Sequence, residues 1–351
     1  MKNLGKALIF ILILLLLLIG ANALFMPQTD FSADTSKGCE ELDYIVLGTS
    51  NVFYDVNPTV IWDEAGFVGY NLSSEQAPII INYYQLKNEL KKHTPKVVFF
   101  DTSGFQYNYG KASFNQLSLD KMPLNFDKLK LIGELKEDDE KDNSITVDRY
   151  KKINYLIPLY KFHSRWKELF EGTLYSQYHD KYEHLFMGYV ATKDHYVYEK
   201  DYKWLPTNEE LGAGYVTEIT DVNRHYFGLM RELCESKEIR LVLFKTPSKG
   251  WTQDIHEAVT EFAKEEGLEF FEMNTPEPLA EMGIDEKTDL ADSSSHFNVY
   301  GSEKISRYLA RYMKRTCNFS DKRKTEAQNP ESTIAFWNGL YESFRSYVEA
   351  E

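Results

Sequence analysis

The chain has 351 residues, 43% of them hydrophobic, enough for one large domain or one domain with an insertion. Its formal net charge of -14 argues against a nucleic-acid partner, because binding a phosphate backbone needs a basic face. The three cysteines lie far apart and show no zinc-like spacing with histidine. They define no disulfide framework, and we expect neither a metal nor another cofactor.

The N-terminus carries an apolar run from Ala7 to about Met26, preceded by Lys2 and Lys6. About 20 apolar residues are long enough to span a bilayer as a helix. Lysines on the N-terminal flank predict that this end is cytoplasmic. The rest of the chain is then expected outside the cell membrane.

Two interpretations of this run stay open. Ala21-Asn22-Ala23 has the small-x-small form of a signal-peptidase site, which would make the run a cleaved signal peptide. The long leucine-rich core favours a retained signal anchor over residues 1–27. Residues 28–42 are then a linker to the folded domain.

Next come a buried strand, an amphipathic helix and a second buried strand. Tyr44 to Leu47 is a short apolar run that ends at glycine, and Lys96 to Phe100 is another that ends at Asp101. Between them, one helical face carries Ile79, Tyr83, Leu86 and Leu90. This order of elements is the unit of a parallel sheet.

The same alternation returns late in the chain. Two more strands are predicted, over Ile239 to Phe244 and Leu268 to Phe271. Three helices are predicted from the apolar spacing of Ile219, Val222, Tyr226, Leu229 and Leu233, of Ile255, Val259 and Phe262, and of Ile305, Tyr308, Leu309 and Tyr312. We therefore predict an α/β fold, a three-layer α/β/α sandwich with a central parallel sheet like that of flavodoxin, over residues 43–317.

The middle and the tail depart from this pattern. Residues 106 to about 215 include an aromatic, mostly helical stretch from Tyr150 to Tyr202, and we interpret the whole as an insertion that caps the ligand-binding edge of the sheet. Within it, the acidic run at 137–140 is predicted to be a solvated loop. Residues 318–351 form a polar linker and an amphipathic helix. That helix is expected to pack back on the domain, with a partner or membrane-surface role as the alternative.

Three polar segments fall at the carboxyl ends of predicted strands. Ser50 follows the first strand, Asp101 ends the second, and Asp292 to His296 follows the last strand and a loop. Ligands of open α/β sheets bind at this edge. Serine, histidine and aspartate are together the parts of an activated nucleophile, so the pattern predicts acyl-transfer chemistry.

These segments resemble the SGNH (GDSL-like) hydrolases. The similarity is greater to a membrane-anchored extracytoplasmic branch, found with bacterial cell-envelope polysaccharide modification. The matching segments are Val46 to Ser50, Asn57-Pro58, Tyr70 to Ser73, Tyr83-Tyr84, Pro95 to Asp101, His163 to Trp166, Asp292 to Asn298 and Gly301. The likeness covers residues 43–315 in outline.

The resemblance implies a role for each matching residue. Ser50 would be the nucleophile, His296 the base that takes its proton, and Asp292 the acid that orients the histidine. The backbone N–H groups of Ser50 and Ser73 would bind the oxyanion.

The sequence departs from the family pattern in two places. The usual spacing is Asp-x-x-His, whereas Asp292 lies four residues before His296; Asp289 is held in reserve. The third family block usually reads Gly-x-Asn-Asp, whereas residues 101–104 read Asp-Thr-Ser-Gly. The oxyanion asparagine is thus missing, and either Asn51 or Asn71 substitutes for it or the oxyanion hole is weaker. Asp101 is kept among the candidate oxyanion or substrate residues.

Two functions are compatible with these observations. The first is an extracytoplasmic serine O-acetyltransferase or O-acetylesterase acting on a cell-envelope or secreted polysaccharide. The resemblance implies that a membrane-bound O-acyltransferase would be its partner. The second is a non-catalytic accessory protein that keeps the fold and binds the polysaccharide or a partner.

Overall fold

The computed structural model describes residues 2–25, 38–136, 152–157, 159–160, 163–171, 185–199, 203–212, 218–294, 296–324 and 330–350. The acidic run at 137–140 and most of the expected linker after the apolar run lie outside these residues. The first helix, α1 (Lys2–Phe25), contains a 20-residue stretch, Asn3–Asn22, that is long and apolar enough to cross a membrane. A signal sequence meets the same criterion, so the anchor and the signal peptide both stay open.

A parallel sheet of five strands forms the centre of the domain, in the order β2-β1-β3-β6-β7. A separate antiparallel hairpin is formed by β4 and β5. The strands are β1 (Tyr44–Gly48), β2 (Gly69–Ser73), β3 (Val97–Asp101), β4 (Leu185–Phe186), β5 (Tyr189–Val190), β6 (Arg240–Lys245) and β7 (Phe270–Glu272).

Helices cover both faces of the sheet. After α1 they are α2 (Ser50–Asp55), α3 (Pro58–Ala65), α4 (Ile79–Glu89), α5 (Ala112–Lys121), α6 (Phe126–Glu134), α7 (Lys152–Leu156), α8 (Trp166–Glu171), α9 (Asn208–Leu211), α10 (Asp221–Glu235), α11 (Gln253–Glu265), α12 (Pro276–Met282), α13 (Val299–Thr316) and α14 (Pro330–Glu349). Short 3₁₀ turns occupy Thr102–Gln106 and His163–Arg165.

Alternate residues of each strand face opposite helical layers, as the two-residue period of a strand requires. Ile45 and Leu47 of β1 pack into a core shared with α4, α10 and α11. Tyr44 and Val46 pack into a second core shared with α2, α12 and α13. The predicted three-layer α/β/α sandwich is therefore confirmed.

The structure adds an edge strand and two short helices that the hydrophobic pattern did not predict. β2 contains Asn71 and a serine, so its apolar signal is weak, yet it pairs in register with β1. The chain from Ser50 onward forms the two helices, α2 and α3. The start of α3 has an N-cap that the sequence signals. The side chain of Asn57 accepts the Thr59 N–H at 2.9 Å, and Pro58 follows at the first helical position.

The C-terminal helix α14 packs back on the domain, as expected. Trp337 is fully buried, and its ring stacks on Trp62 of α3 with 5.8 Å between ring centroids. The Trp337 indole N–H also donates to the Gly38 carbonyl at 2.8 Å. Further along, Phe344 packs against Tyr189 of the hairpin. The helix α14 thus packs on α3 and on the β4–β5 hairpin.

Replacing Trp337 by alanine should destabilise the fold by about 3–5 kcal/mol, because the change leaves a cavity beneath Trp62. Glu342→Ala, at an exposed position of the same helix, should change stability by no more than about 0.5 kcal/mol. Denaturant unfolding of both variants measures the difference. Equal stability of Trp337→Ala and wild type would show that α14 does not hold the domain together.

Candidate active site

The turn between β1 and α2 presents a serine at the carboxyl edge of the sheet. Gly48 ends β1 where there is no room for a side chain, since a Cβ there would lie 2.4 Å from the Cβ of Asp101. Thr49 is extended and precedes the helix, and Ser50 is the first helical residue. The N–H groups of a first helical turn have no partner within the helix. The turn therefore places the Ser50 hydroxyl beside the backbone N–H groups of the first turn of α2.

The His296 ring lies within hydrogen-bond distance of Ser50 on one side and of Asp292 on the other. The Ser50 Oγ lies 2.9 Å from the Nε2 of His296. The Nδ1 of the same ring lies 2.7 Å from the Oδ2 of Asp292. A carboxylate at Nδ1 places the ring proton there, which leaves Nε2 free to accept the serine proton. This geometry can activate a serine for nucleophilic attack.

The extra residue between Asp292 and His296 is absorbed in a tight turn. The Oδ1 of Asp292 accepts the N–H groups of Ser294 at 2.8 Å and of His296 at 3.3 Å. Asp289, the reserve acid, is directed elsewhere: it is buried and pairs with Lys304 at 2.7 Å. Of the two candidate acids, Asp292 is the one in contact with the histidine.

Asp292 is poised to stay ionised beside the histidine. Partial burial alone would raise its pKa, but the hydrogen bond and charge of His296 and the backbone donors of Ser294 and His296 outweigh burial. The net effect holds the pKa of Asp292 below its usual value. Its side chain is 45% exposed, so solvent screens part of this interaction.

Asp101 organises the serine turn and does not face the cavity directly. Its buried carboxylate accepts the Thr49 N–H at 3.3 Å and the Thr49 hydroxyl at 2.6 Å. It also accepts the Ser103 N–H at 3.1 Å and the Ser103 hydroxyl at 2.9 Å. The carboxylate thus joins the end of β3 to the turn that carries Ser50.

The other predicted oxyanion residues lie in different places. Asn51 lines the cavity, and its amide N–H donates to Asp55 at 3.4 Å. Asn71 is buried, and its amide donates to backbone carbonyls, including that of Val56 at 2.7 Å. Ser73 ends β2 opposite Gly48. The position of the missing family asparagine is taken by Ser103, whose hydroxyl points to Asp101.

A cavity of about 740 Å³ opens over the Ser50 hydroxyl. Of the expected capping insertion, α6 packs against α4 and α5 against α7. The insertion lines the cavity through Gln106, Tyr107, Tyr196, Tyr198, Glu199 and Leu211. The remaining lining residues are Thr49, Ser50, Asn51, Glu75, Gln76, Ser103, Lys245, Ser248, Lys249, Gly250, Ser293, Ser294 and His296. The lining is polar with several tyrosines.

Lys245 and Lys249 were missed by the sequence reasoning, although a signal for them existed. The predicted strand now seen as β6 ends beside Thr246-Pro247, at the same carboxyl edge as Ser50. Burial lowers the pKa of Lys245 despite the nearby charges of Asp101 and Asp55. Its ammonium group donates to the Thr246 carbonyl at 2.8 Å. The residues just after each strand of a parallel sheet are candidates for the ligand-binding site because of their position alone.

A third missed residue is Asp55, a buried acid at the end of α2. Its carboxyl group accepts the Phe297 N–H at 3.1 Å and the Thr246 hydroxyl at 2.7 Å. Burial raises its pKa to about 7, although the charges of His296 and Lys245 and the hydrogen bonds from Thr246 and Phe297 act in the opposite direction. Asp55 therefore ties α2 to the residue that follows His296.

Asp55 should make folding stability fall as the pH rises from about 4 to about 7. In this window the folded state holds the Asp55 proton and the unfolded chain does not, so the folded state binds more protons. Asp55→Asn keeps an acceptor for the Phe297 N–H and cannot titrate, so its melting temperature should depend less on pH across this window. Glu277→Gln, at an exposed carboxyl on α12, serves as the matched control. An equal pH dependence of the melting temperature in wild type and Asp55→Asn would contradict the raised pKa of Asp55.

Comparisons with known proteins do not establish a family for this chain. No family model matches, and no curated protein matches. A solved structure of a GDSL-like lipase from Bacteroides thetaiotaomicron is similar at 8% identity, over 78% of this chain and 87% of that one, with a TM-score of 0.32. So distant a likeness carries no argument about activity, and the functional reading rests on the site.

Proposed function

We propose that the protein is a serine acyl-transfer enzyme, an O-acetyltransferase or O-acetylesterase, that uses Ser50, His296 and Asp292. The observation that carries the proposal is the continuous hydrogen-bonded chain from the Asp292 carboxylate through His296 to the Ser50 hydroxyl, at the floor of a large cavity. A serine whose hydroxyl were only structural would not need a histidine oriented by an acid.

The reaction would proceed in two halves. The Ser50 Oγ attacks the acyl carbonyl carbon while His296 Nε2 takes its proton, and the histidine then gives that proton to the departing alcohol. In the second half, water or a sugar hydroxyl attacks the acyl-serine and its proton passes through the same nitrogen back to Ser50. Water as the acceptor makes an esterase, and a sugar makes a transferase.

The backbone N–H of Ser50 would stabilise the oxyanion formed in each half. With Ser103 turned toward Asp101, the family's asparagine donor has no direct replacement among the residues described at this position. One oxyanion donor is worth roughly 3 kcal/mol. This arrangement favours a slow esterase or a dedicated transferase over a fast general lipase.

The lining of the cavity supports a carbohydrate substrate. Tyr107, Tyr196 and Tyr198 offer aromatic faces beside carboxylates and amides that can bind hydroxyl groups. We therefore propose a cell-envelope or secreted polysaccharide as the acyl acceptor or donor. With α1 as an anchor, the domain would lie outside the cytoplasmic membrane, next to a membrane-bound O-acyltransferase that supplies the acyl group.

The Ser50 hydroxyl should react covalently with a fluorophosphonate probe in the wild-type protein, and Ser50→Ala should abolish labelling. Ser294→Ala is the matched control, because Ser294 lines the same cavity and contributes only its backbone N–H to Asp292. Absence of labelling in the folded wild type, together with measurable glycan binding, would support the non-catalytic accessory function instead.

Asp292→Asn should lower kcat for p-nitrophenyl acetate by about 10²–10⁴-fold, because an amide at this position no longer holds the Nδ1 proton of His296. KM should change little, since Asp292 does not line the cavity in the described residues. A wild-type rate in Asp292→Asn would remove the acid from the mechanism.

An oligosaccharide acceptor added to the same assay separates transferase from esterase. A transferase should release p-nitrophenol faster with the acceptor present and yield an acetylated sugar detectable by mass spectrometry. Hydrolysis that no offered sugar changes would identify water as the acceptor.

A further inference from the structure

The insertion carries an exposed apolar surface that the proposed reaction does not use. It consists of Ile153, Ile157, Tyr160, Trp166, Leu169 and Phe170, and we call it the insertion's apolar surface. Phe170 is 84% exposed, Tyr160 66% and Trp166 51%. Exposed apolar residues grouped in this way mark an interaction site.

The spacing of these residues gives each short helix one apolar side. Ile153 and Ile157 are four residues apart and so share a side of the helical turn at α7. The same helix buries Asn154 and Tyr155 against α5 and α6, so its apolar isoleucines face outward.

On α8 the arrangement repeats. Trp166 and Phe170 are also four apart, and their ring centroids lie 6.0 Å apart. None of the six residues of α8 is buried. Each of the two helices therefore carries its own pair of exposed apolar side chains, Ile153 and Ile157 at α7 and Trp166 and Phe170 on α8.

Two hydrogen bonds connect this region to the end of the apolar helix α1. The Leu159 N–H donates to the side chain of Asn22 at 2.7 Å, and Arg165 donates to the carbonyl of Phe25 at 2.7 Å. Arg165 is buried and also pairs with Glu168 at 2.8 Å. The segment between α7 and α8 is thus fastened to the last turn of α1.

This connection determines the depth of the insertion relative to a membrane. If Asn3–Asn22 crosses the hydrocarbon, Asn22 and Phe25 lie at the boundary between lipid and water. Leu159 and Arg165, which are hydrogen-bonded to Asn22 and Phe25, then lie at the same boundary. Tryptophan and tyrosine side chains favour this depth, because their rings are apolar and their N–H or O–H groups are polar.

The local charge agrees with a lipid surface. Arg165 and Glu168 pair with each other, so the exposed charges of α7 and α8 are the two cations Lys152 and Lys167 and the one carboxylate Glu171. The chain as a whole carries a net charge of -14. A locally cationic segment within an acidic protein fits anionic phospholipid headgroups.

We propose that the insertion's apolar surface inserts into the outer face of the bilayer that α1 crosses. The domain is then held at the membrane in two places, by α1 and by α7 and α8. The inference rests on α1 as a membrane span and is independent of the serine chemistry.

Spin labels on the full-length protein in vesicles of phosphatidylcholine and phosphatidylglycerol test the depth directly. Phe170→Cys places a label on the apolar surface, and Leu12→Cys places one within α1. Tyr300→Cys, at an exposed aromatic residue outside the insertion, is the matched control in water. The native cysteines are buried, so the introduced thiol is the exposed one.

The measurement compares collisions with oxygen, which concentrates in lipid, and with a water-soluble nickel chelate. The oxygen-to-nickel ratio at residue 170 should be several-fold higher than at residue 300 and closer to that at residue 12. Equal ratios at 170 and 300 would overturn the proposal. So would exclusion of both reagents at 170, which indicates a protein contact, or free access of the chelate to residue 12.

Fluorescence provides a second measurement with a conservative variant. The chain has 5 tryptophans, of which Trp62, Trp251 and Trp337 are buried inside the domain. Brominated lipids should quench part of the wild-type emission, and Trp166→Phe should lose that quenched part. Identical quenching of both proteins would contradict insertion of Trp166.

Discussion

The hydrogen bond between His296 and Ser50 joins residues 246 positions apart, and the site depends on it. It forms because the parallel sheet directs the carboxyl ends of all its strands to one edge. β1 delivers the serine there, and the antiparallel bridge between Leu290 and Phe297 shapes the loop that returns the histidine to the same edge. The register of β1 in the sheet thus decides whether Ser50, the proposed nucleophile, meets His296, its proposed base.

Two buried acidic side chains hold the backbone segments next to Ser50 and His296 in place. Asp101 holds the turn before Ser50 through four hydrogen bonds to Thr49 and Ser103. Asp55 holds the backbone just after His296. Burying acids costs stability unless hydrogen bonds satisfy them, and here those bonds position the two reacting side chains. Rigidity of this kind suits a site in which small displacements of a nucleophile reduce the rate.

The insertion contacts both the cavity and the N-terminal helix α1. Its later part lines the cavity through Tyr196 and Tyr198, and its hairpin packs beside β2. Its earlier part lies next to α1 through Leu159 and Arg165. If the domain is held at a lipid surface as proposed, the orientation of the cavity relative to the membrane is restricted. That restriction would suit the proposed transfer of an acyl group from a membrane-bound O-acyltransferase.

Sequence signals were sufficient to predict the sheet class, the apolar N-terminal helix and the position of Ser50 and His296 at one edge of the sheet, because strand periodicity, span length and residues at strand ends are local signals. It did not reveal β2, whose polar residues are stabilised only by pairing with β1. The acid beside His296 was also open between Asp292 and Asp289, since the turn that absorbs the extra residue depends on backbone hydrogen bonds. Tertiary structure alone decided that Asp55 and Lys245 are buried under the site, because burial arises from the packing of segments that are distant in the chain.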